Sequence, residues 1–485
     1  METTEIDLEG LKKRSVVGVV ALTSRTFLLQ LINFLAMFLL TVFLTPEVFG
    51  IFFVVTALVN FLNYFSDIGL AAALIQKKEA LTEADLKTTF TIQQGLVLTL
   101  VVFAWFFSTF AARFYHLNSA GLWLLRALIF SFFLSSLKTI PSIILERKLH
   151  FKKLIIPQIG ETLVFNLVAV FLAWKGYGVT SFTWGVVARG IVGLVLIYLI
   201  SPWRPGLALE RQTARRLLSF GIPFQLNSLL ALVKDDLLTM FLGKVLPLVQ
   251  VGYLGWAQKW ANFPLRFVMD SVNKVSFPAY SRVQDNLKAL RAGIEKALFS
   301  VSFLTFPVLI GMMVLARPLV HLLPRYLKWE PALIALYLFS TQAVFASVST
   351  TLTNTLNATG RIKTTLRLMI GWTSLTWIFT PVFIRLWNFN GAALSALLVA
   401  LTVGLPIILV KKIVSFNLGD NVIKPFLTAL AMGIALLPTI HLINNLFTLF
   451  LVVLFGAIIY LSFSWLWFGE KLKEVTGLMI KVLKK

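Results

Sequence analysis

The stretch TFTIQQGLVLTLVVFAWFFSTFAA, residues 89–112, decides the fold of this chain because it runs for 24 residues without a charged side chain. A helix of about 20 apolar residues crosses the roughly 30 Å hydrocarbon core of a bilayer. Similar runs recur along the 485-residue sequence, which is 58% hydrophobic and only 13% charged. A soluble protein has about a quarter charged residues. Lipid is therefore part of the solvent, and the sequence predicts an all-α polytopic membrane protein.

Fourteen apolar runs are long enough to be membrane spans, and short loops join them. The eighth run is polar for a span and carries Pro264. No stretch between the runs is long enough for a separate soluble domain. The predicted spans are 17–44, 48–74, 89–112, 119–144, 155–174, 178–201, 216–243, 248–272, 294–316, 331–356, 364–386, 390–410, 422–443 and 446–468.

Lysine and arginine are unevenly divided between the two sets of loops that these spans define. Thirty of the 44 basic residues fall at the termini and in every second loop, and only seven fall in the other loops. Basic residues accumulate on the cytoplasmic side of membrane proteins. We therefore expect both termini in the cytoplasm and the chain in the cytoplasmic (inner) membrane. Most of the net charge of +23 is then a topology signal, and we expect no nucleic acid as a partner.

Residues for enzymatic chemistry are scarce in the sequence. The chain has no cysteine and four histidines, and it lacks HExxH, GxSxG and P-loop patterns. The longest loop on the predicted outer side, residues 317–330, holds one histidine. A membrane glycosyltransferase, ligase or polymerase usually needs a larger outer loop or soluble domain that holds acid and base residues. We therefore expect no enzymatic activity, no catalytic residue, no metal and no cofactor.

The two halves of the chain resemble each other, which predicts an internal repeat of six spans. FLTPEVFGIF (43–52) joins spans 1 and 2, and FLGKVLPLVQVGYL (241–254) joins spans 7 and 8. Six spans per half give both copies the same orientation, and such parallel repeats are typical of transporters with a site between the halves. We predict an N-terminal lobe at 1–202, a C-terminal lobe at 203–413, and two further spans with a basic tail at 414–485.

Charged residues within the spans mark the predicted site, because charge at membrane depth faces a bundle interior or water. ALVKDDLLTMFLG (231–243) in span 7 places three charges side by side, although successive helix residues point about 100° apart. We expect at least one of its acids to pair with a neighbouring cation. Apart from charges at the ends of spans, such as the basic residues counted above with the loops, the charged residues that we assign to the spans are Arg25, Asp67, Arg126, Lys138, Glu161, Arg189, Lys234, Asp235, Asp236, Lys259, Arg266 and Asp270.

Spans 2 and 8 carry polar stripes, in which the residues recur at the steps of three and four that define one helical face. Salt bridges that merely join helices would explain single residues. Two stripes of full length instead favour a hydrated cavity lined by spans 1, 2, 7 and 8, whose excess of cations suits an anionic substrate. The stripes comprise Thr56, Asn60, Asn63 and Asp67 in span 2, and Lys259, Asn262, Arg266, Asp270 and Asn273 in span 8.

Five stretches carry a resemblance to a known family. They are FLTPEVFGIF (43–52), FSDIGLAAALIQKKEALTEADLKTTFTIQQG (65–95), ILERKLHFKKL (144–154), VSFPAYSRVQDN (275–286) and LNATGRIKTTLRL (356–368). Together they resemble the polysaccharide and O-antigen flippases, in the lipopolysaccharide-exporter branch of the multidrug/oligosaccharidyl-lipid/polysaccharide exporter superfamily. The resemblance covers roughly residues 15 to 470.

The resemblance implies two six-helix lobes around a central cavity, with spans 13 and 14 added. It implies a flippase that moves a polyprenyl-diphosphate-linked oligosaccharide from the cytoplasmic to the outer leaflet by alternating access, for cell-surface polysaccharide synthesis. Basic cavity residues are thought to engage the diphosphate in such flippases. We carry this role over to Arg25, Lys259 and Arg266.

Further expectations concern the rest of the cavity and its partners. Four asparagines are expected to line the cavity, and four acids are candidates for coupling to an H⁺ or Na⁺ gradient. Membrane lipids are expected partners, as are a polysaccharide polymerase and glycosyltransferases. The asparagines are Asn60, Asn63, Asn227 and Asn262, and the acids are Asp67, Asp235, Asp236 and Asp270.

Other functions on the same fold stay open at this point. A cation-coupled drug antiporter would favour acids in the cavity, whereas cations outnumber acids within these spans. A lipid II flippase would share the diphosphate chemistry, and sequence reasoning does not separate it from the leading interpretation. A membrane glycosyltransferase or polymerase is disfavoured by the short outer loops.

Overall fold

The protein is described here by a computed structural model that covers residues 28–77, 79–226 and 229–483. Within these ranges the regular structure is helical, with no β-strand. The α-helices are α1 (Leu28–Phe43), α2 (Pro46–Tyr64), α3 (Leu70–Gln76), α4 (Glu83–Phe114), α5 (Ser119–Leu137), α6 (Thr139–Arg147), α7 (Phe151–Trp174), α8 (Val179–Ile200), α9 (Arg211–Leu226), α10 (Leu229–Val245), α11 (Leu248–Val283), α12 (Leu287–Leu322), α13 (Leu333–Ala358), α14 (Ile362–Ala400), α15 (Gly404–Lys411), α16 (Lys424–Leu436) and α17 (Leu446–Leu483).

The prediction of an all-α polytopic membrane protein is confirmed. Ten helical stretches of the described residues are long and apolar enough to cross a membrane, and α1 is a shorter apolar helix. The described parts of the fourteen predicted spans are largely helical, some within one helix and others across two. One of the ten stretches, Ile362–Lys411, contains the two predicted spans 364–386 and 390–410. A kink at Trp387 and Asn388 separates these two spans, as the sequence predicts.

Several predicted spans are interrupted helices rather than single ones. Span 2 is divided into α2 and α3 by a turn in which Ile68 and Gly69 both have positive φ angles, 46° and 73°. A right-handed α-helix requires negative φ angles, so the helix ends at these two residues. Span 4 is divided into α5 and α6, and span 13 changes from α16 to a 3₁₀ segment at Leu437–Leu442. The apolar pattern predicted the length of these segments but not their breaks.

The chain divides into two compact units, Met1–Gly252 and Tyr253–Lys485. In the first unit, α7 and α8 pack against each other, and α5 and α2 pack beside them. Phenylalanines fill this contact: the ring of Phe52 stacks on that of Phe182 at 4.1 Å between centroids, and Phe165 stacks at 6.4 Å from both. The predicted lobe boundaries at 202 and 413 remain a prediction.

The second unit is built around α12, which packs against α13 and α16. Its core includes Ile294, Leu298, Phe306 and Leu352, all nearly inaccessible to solvent. Near the start of α11 the indole of Trp256 stacks on that of Trp329 with 5.2 Å between centroids. Large aromatic side chains bury much apolar area, so this stack fixes the first part of α11 to the 3₁₀ segment Pro324–Ala332.

Two glycines allow a close backbone crossing within the first unit. A Cβ atom on Gly50 would overlap the carbonyl oxygen of Leu248, and one on Gly252 would overlap that of Pro46. The crossing is reciprocal, because Leu248 follows Pro46 by the same 202 residues that separate Gly252 from Gly50. The two connections of the predicted repeat therefore meet each other through equivalent positions.

Candidate functional site

The polar stripe of α2 lies on the side of the helix opposite its core face. Asn60 and Asn63 are exposed, whereas Ile51, Val54 and Val55 are buried. Successive helix residues are 100° apart, so the two sets occupy opposite sides of one cylinder. The stripe predicted from sequence is therefore a real surface of this helix, distinct from the side that packs in the core.

The charges of ALVKDDLLTMFLG lie on α10, which packs against α2. Asp236 accepts a hydrogen bond of 3.1 Å from the side-chain amide of Asn60. The neighbouring Asp235 is exposed, and Thr239 donates to its backbone carbonyl at 2.9 Å. The stripe of α2 thus meets one acid of the cluster directly. The sequence placed Asp236 and Asn60 in one cavity, and the structure brings these two together.

The cytoplasmic-side half of α2, as predicted by topology, is also joined to α9. Tyr64 donates its hydroxyl to the carbonyl of Gln225 at 2.5 Å, and Gln225 donates its side-chain amide to the carbonyl of Tyr64 at 2.7 Å. A few residues further on, the backbones at Gly69 and Gly221 lie so close together that a Cβ atom on either glycine would overlap the opposite backbone. Spans 2 and 7 are therefore tied along most of their length.

Asp67 has a structural partner in addition to its predicted role. Its two carboxylate oxygens accept hydrogen bonds from the backbone N–H of Ala71 at 3.1 and 3.2 Å. Carboxylates favour helix starts because they satisfy N–H groups that have no partner within the helix. Asp67 therefore stabilises the first turn of α3. Its role in ion coupling remains a prediction.

The basic residues of α11 project from the face opposite the core of the second unit. Lys259 and Arg266 are exposed, seven residues apart and thus nearly on one line along the helix. Ala257, Ala261 and Val268 bury the opposite face. The two cations are therefore presented outward from the core of their unit, within predicted span 8.

The remaining predicted site residues are less informative. Asn262 on α11 is partly exposed, beside the line of the two cations. Arg25 and Asn227 lie outside the described residues, and so does the side chain of Asp270. Among the residues whose side chains are described, no three His, Asp or Glu are grouped to hold a metal ion.

A charged cluster near the ends of predicted spans was not predicted from the sequence. The carboxylate of Asp85, whose side chain is inaccessible to solvent, lies 2.5 Å from Lys77 Nζ and 2.7 Å from Arg216 Nη2. It also accepts from the backbone N–H and hydroxyl of Thr82, at 2.9 and 2.8 Å. The cluster joins the segment before α4 to the start of α9. The TEAD sequence at 82–85 is a signal for a capped helix start, but nothing in the sequence pairs it with Arg216.

Comparison with known proteins places this arrangement in a family. The family model described as "Polysaccharide biosynthesis protein" matches residues 39–332, which is more than half of the chain. The chain belongs to this family. The family predicted from the five quoted stretches is thereby confirmed.

Relatives of this polysaccharide biosynthesis protein include two from enteric bacteria. It is 24% identical over 339 residues to the "Lipopolysaccharide biosynthesis protein WzxC" of Escherichia coli (strain K12), covering 69% of this chain and 68% of that protein. It is 25% identical over 491 residues to an "Uncharacterized membrane protein in cps region" of Klebsiella pneumoniae, covering 96% and 97%.

A solved structure supports the fold of this family member. The "Lipid II flippase MurJ, inward closed conformation" covers 94% of this chain and 100% of its own, with a TM-score of 0.74 and 17% sequence identity. At this identity the likeness concerns the fold alone. It agrees with a polytopic bundle of about fourteen helices.

Proposed function

We propose that this protein is a flippase for a polyprenyl-diphosphate-linked oligosaccharide, which it translocates across the cytoplasmic membrane for cell-surface polysaccharide synthesis. The observation that carries the proposal is the pair of exposed cations Lys259 and Arg266, on one face of the helix that contains predicted span 8, in a chain of the polysaccharide biosynthesis family. Charged side chains at membrane depth face water or a bundle interior and mark substrate pathways. Two cations on one face suit a diphosphate.

The proposed mechanism is alternating access without covalent chemistry. Arg25, Lys259 and Arg266 bind the diphosphate, since arginine forms paired hydrogen bonds with phosphate and lysine acts as a point charge. Asn60, Asn63, Asn227 and Asn262 line the hydrated path of the sugar. The prenyl tail stays in the bilayer. The proposal includes an N-terminal lobe at 1–202 and a C-terminal lobe at 203–413, with the site between these lobes. It also includes a cytoplasmic position for both termini.

Coupling to an ion gradient is a separate part of the proposal. The candidates for carrying H⁺ or Na⁺ are Asp67, Asp235, Asp236 and Asp270. The contact between Asp236 and Asn60 supports a role for Asp236, because binding an ion there would change how α2 and α10 meet. A polysaccharide polymerase and glycosyltransferases are the proposed partners of the pathway.

A lipid II flippase is the second candidate, favoured by the fold-level likeness to a structure named for that activity. Both substrates are prenyl diphosphates, so the same basic residues would serve either one. They differ in the sugar. A drug antiporter is disfavoured by the excess of cations over acids within the spans.

The test measures flipping of a fluorescent polyprenyl-diphosphate oligosaccharide in vesicles, by its accessibility to an impermeant quencher. Arg266→Ala should slow flipping by roughly tenfold or more, the cost of one charge-assisted contact. Arg282→Ala is the matched control, because Arg282 is an exposed arginine on the same helix outside the predicted span.

The outcomes separate the candidates. If the wild type flips the oligosaccharide and the Arg266→Ala variant flips it at the same rate, Arg266 is not part of the site. No flipping of the oligosaccharide by the wild type contradicts the proposed function, and flipping of lipid II alone establishes the second candidate.

A further inference from the structure

Three charged residues meet inside the first unit, away from the residues assigned above. Glu161 on α7 lies 2.7 Å from Nζ of Lys138, the residue that ends α5. The other oxygen of Glu161 lies 3.6 Å from Nε of Arg189 on α8. The side chains of Glu161 and Lys138 are only 13% and 15% exposed, whereas that of Arg189 is 54% exposed. The triad is therefore closed on one side and open at the arginine.

The exposure of Arg189 is unexpected for its position on α8. It follows Phe182 and Val186 and precedes Gly193 at steps of four, three and four, so these residues share one helical face. The other three are buried. The exposed apolar residues of this helix, which suit lipid, lie on other sides; they include Trp184, Ile191, Val195 and Leu199. Arg189 therefore opens onto an internal space and not onto lipid.

The helix α2, which carries the polar stripe, packs beside α8. The ring of Phe52 on α2 stacks on that of Phe182 on α8, at 4.1 Å. Three membrane crossings lie between α2 and α8, so the two helices run in the same direction. Arg189 comes seven residues after Phe182, about 10 Å along the axis. On α2, Thr56 and Asn63 come about 6 Å and about 16 Å after Phe52, on nearly the same face.

Arg189 therefore lies between the levels of Thr56 and Asn63. The hydroxyl oxygen of Thr56 is buried and has no hydrogen-bond partner among the described residues. Asn60 is turned further around α2, where it meets Asp236.

The charge balance of the triad leaves the arginine as the surplus cation. Lys138 already neutralises Glu161 at 2.7 Å, so the three residues together carry one positive charge. The contact of Arg189 with Glu161 is made by Nε, at 3.6 Å, and the guanidinium is otherwise half exposed. A guanidinium presents paired N–H donors that match two oxygens of a phosphate. An arginine that only joined helices would be buried with its partner, and this one is not.

We propose that Arg189, oriented by Glu161, is a further phosphate-binding residue, and that it engages the diphosphate of the lipid-linked substrate from within the first unit. Lys138 and Glu161 act as positioning residues that hold the guanidinium at one depth. The inference rests on the proposed function, and it adds a binding residue on α8 to those assigned on spans 1 and 8.

The test measures the affinity of the purified full-length chain in detergent for polyprenyl diphosphate, polyprenyl monophosphate and phosphatidylglycerol. Arg189→Ala should weaken diphosphate binding by roughly tenfold or more. Arg189→Lys keeps the charge but loses the paired donors, so it should reduce the preference for diphosphate over monophosphate. Glu161→Gln should do the same, because the guanidinium loses its orienting partner.

Arg126→Ala is the matched control, because Arg126 is an arginine of the same unit that stacks on Trp105 and Trp123 at 5.1 and 5.3 Å. Its diphosphate affinity should equal that of the wild type. Melting temperature and monodispersity show which variants fold, and the Lys and Gln variants decide the question if the Ala variant does not.

Each alternative result has a distinct meaning. If the wild type binds polyprenyl diphosphate, and all Arg189 and Glu161 variants keep its affinity and its preference for diphosphate over monophosphate, this inference is overturned. The proposed function then still stands. If the variants lose phosphatidylglycerol binding as strongly as diphosphate binding, Arg189 binds lipid headgroup phosphates in general. That result also overturns the inference. A wild type that binds no prenyl diphosphate contradicts the proposed function itself.

Discussion

At the scale of single residues, the most demanding site is the buried carboxylate of Asp85. Charge that leaves water needs compensating partners, and Asp85 has Lys77, Arg216 and Thr82 around it. Removing one partner of a buried ion pair costs about 3–5 kcal/mol, because the remaining charge is left without compensation. Asp85→Asn keeps the size and an acceptor oxygen but removes the charge. We expect a clear drop in melting temperature in detergent, with less protein inserted in membranes.

The control for this prediction is Glu83→Gln in the same helical turn. Glu83 lies 3.5 Å from Lys87, but its side chain is 70% exposed, and such surface pairs contribute only about 0.3–0.5 kcal/mol. Its melting temperature should stay near that of the wild type. An Asp85→Asn protein as stable as the Glu83→Gln protein would show that the cluster does not hold α9 to α4.

The contacts of Asp85 could be predicted from the sequence only in part. Asp85 and Thr82 are three residues apart, so their capping contact is written in the local pattern. Arg216 is 131 residues away from Asp85, and no periodicity connects the two. The same limit applies to Glu161 and Arg189. Each was recognised as a charge within a span, but their contact depends on how α7 packs on α8.

At the scale of elements, the crossing of α2 with the first turn of α11 depends on two glycines. Any side chain at Gly50 would meet the carbonyl of Leu248, a backbone atom that cannot rotate away. Overpacking of this kind costs roughly 1–3 kcal/mol, and separating two backbones costs at the upper end of that range. We expect Gly50→Ala and Gly252→Ala each to lower the melting temperature and the rate of flipping.

Gly95→Ala is the control for the crossing. Gly95 lies within α4 with no atom near enough to meet a Cβ, and alanine is about 0.5–1 kcal/mol better than glycine inside a helix. This variant should be as stable as the wild type or more so. Wild-type stability in both crossing variants would mean that the two helices separate at no cost.

Elements also show why the helix breaks escaped prediction. Membrane thickness sets the length of a span, so apolar runs predict its ends within a few residues. The break between α2 and α3 lies inside an apolar run and is stabilised by Asp67 and Ala71, a contact within the turn itself. Gly69 was the one local sign of it. A hydropathy profile does not detect such a turn, because it measures only how apolar the sequence is.

At the scale of the whole molecule, helical periodicity in the sequence predicts which side of a helix is polar. The exposed Asn60 and Asn63 and the exposed Lys259 and Arg266 lie on single faces, opposite buried ones. Periodicity gives the face of a helix but not its neighbour. The pairing of α2 with α10, and therefore of Asn60 with Asp236, had to come from the structure.

The topology of the whole chain can be measured directly. The chain has no cysteine, so single-cysteine variants can be labelled without background. Lys148 and Lys175 are both exposed and stand at opposite ends of α7. Thirty basic residues on one side against seven on the other favour a cytoplasmic position for Lys148 and an outer one for Lys175.

An impermeant maleimide added to intact spheroplasts should therefore label Lys175→Cys at once. Lys148→Cys should react only after permeabilisation, because the reagent does not cross the bilayer. Asn444→Cys repeats the test after span 13, where the predicted crossings again place the chain outside. Labelling of Lys148→Cys from outside would invert the topology. Labelling of Lys175→Cys with protection of Asn444→Cys would instead place an odd number of crossings between them, and the count of fourteen spans would be wrong.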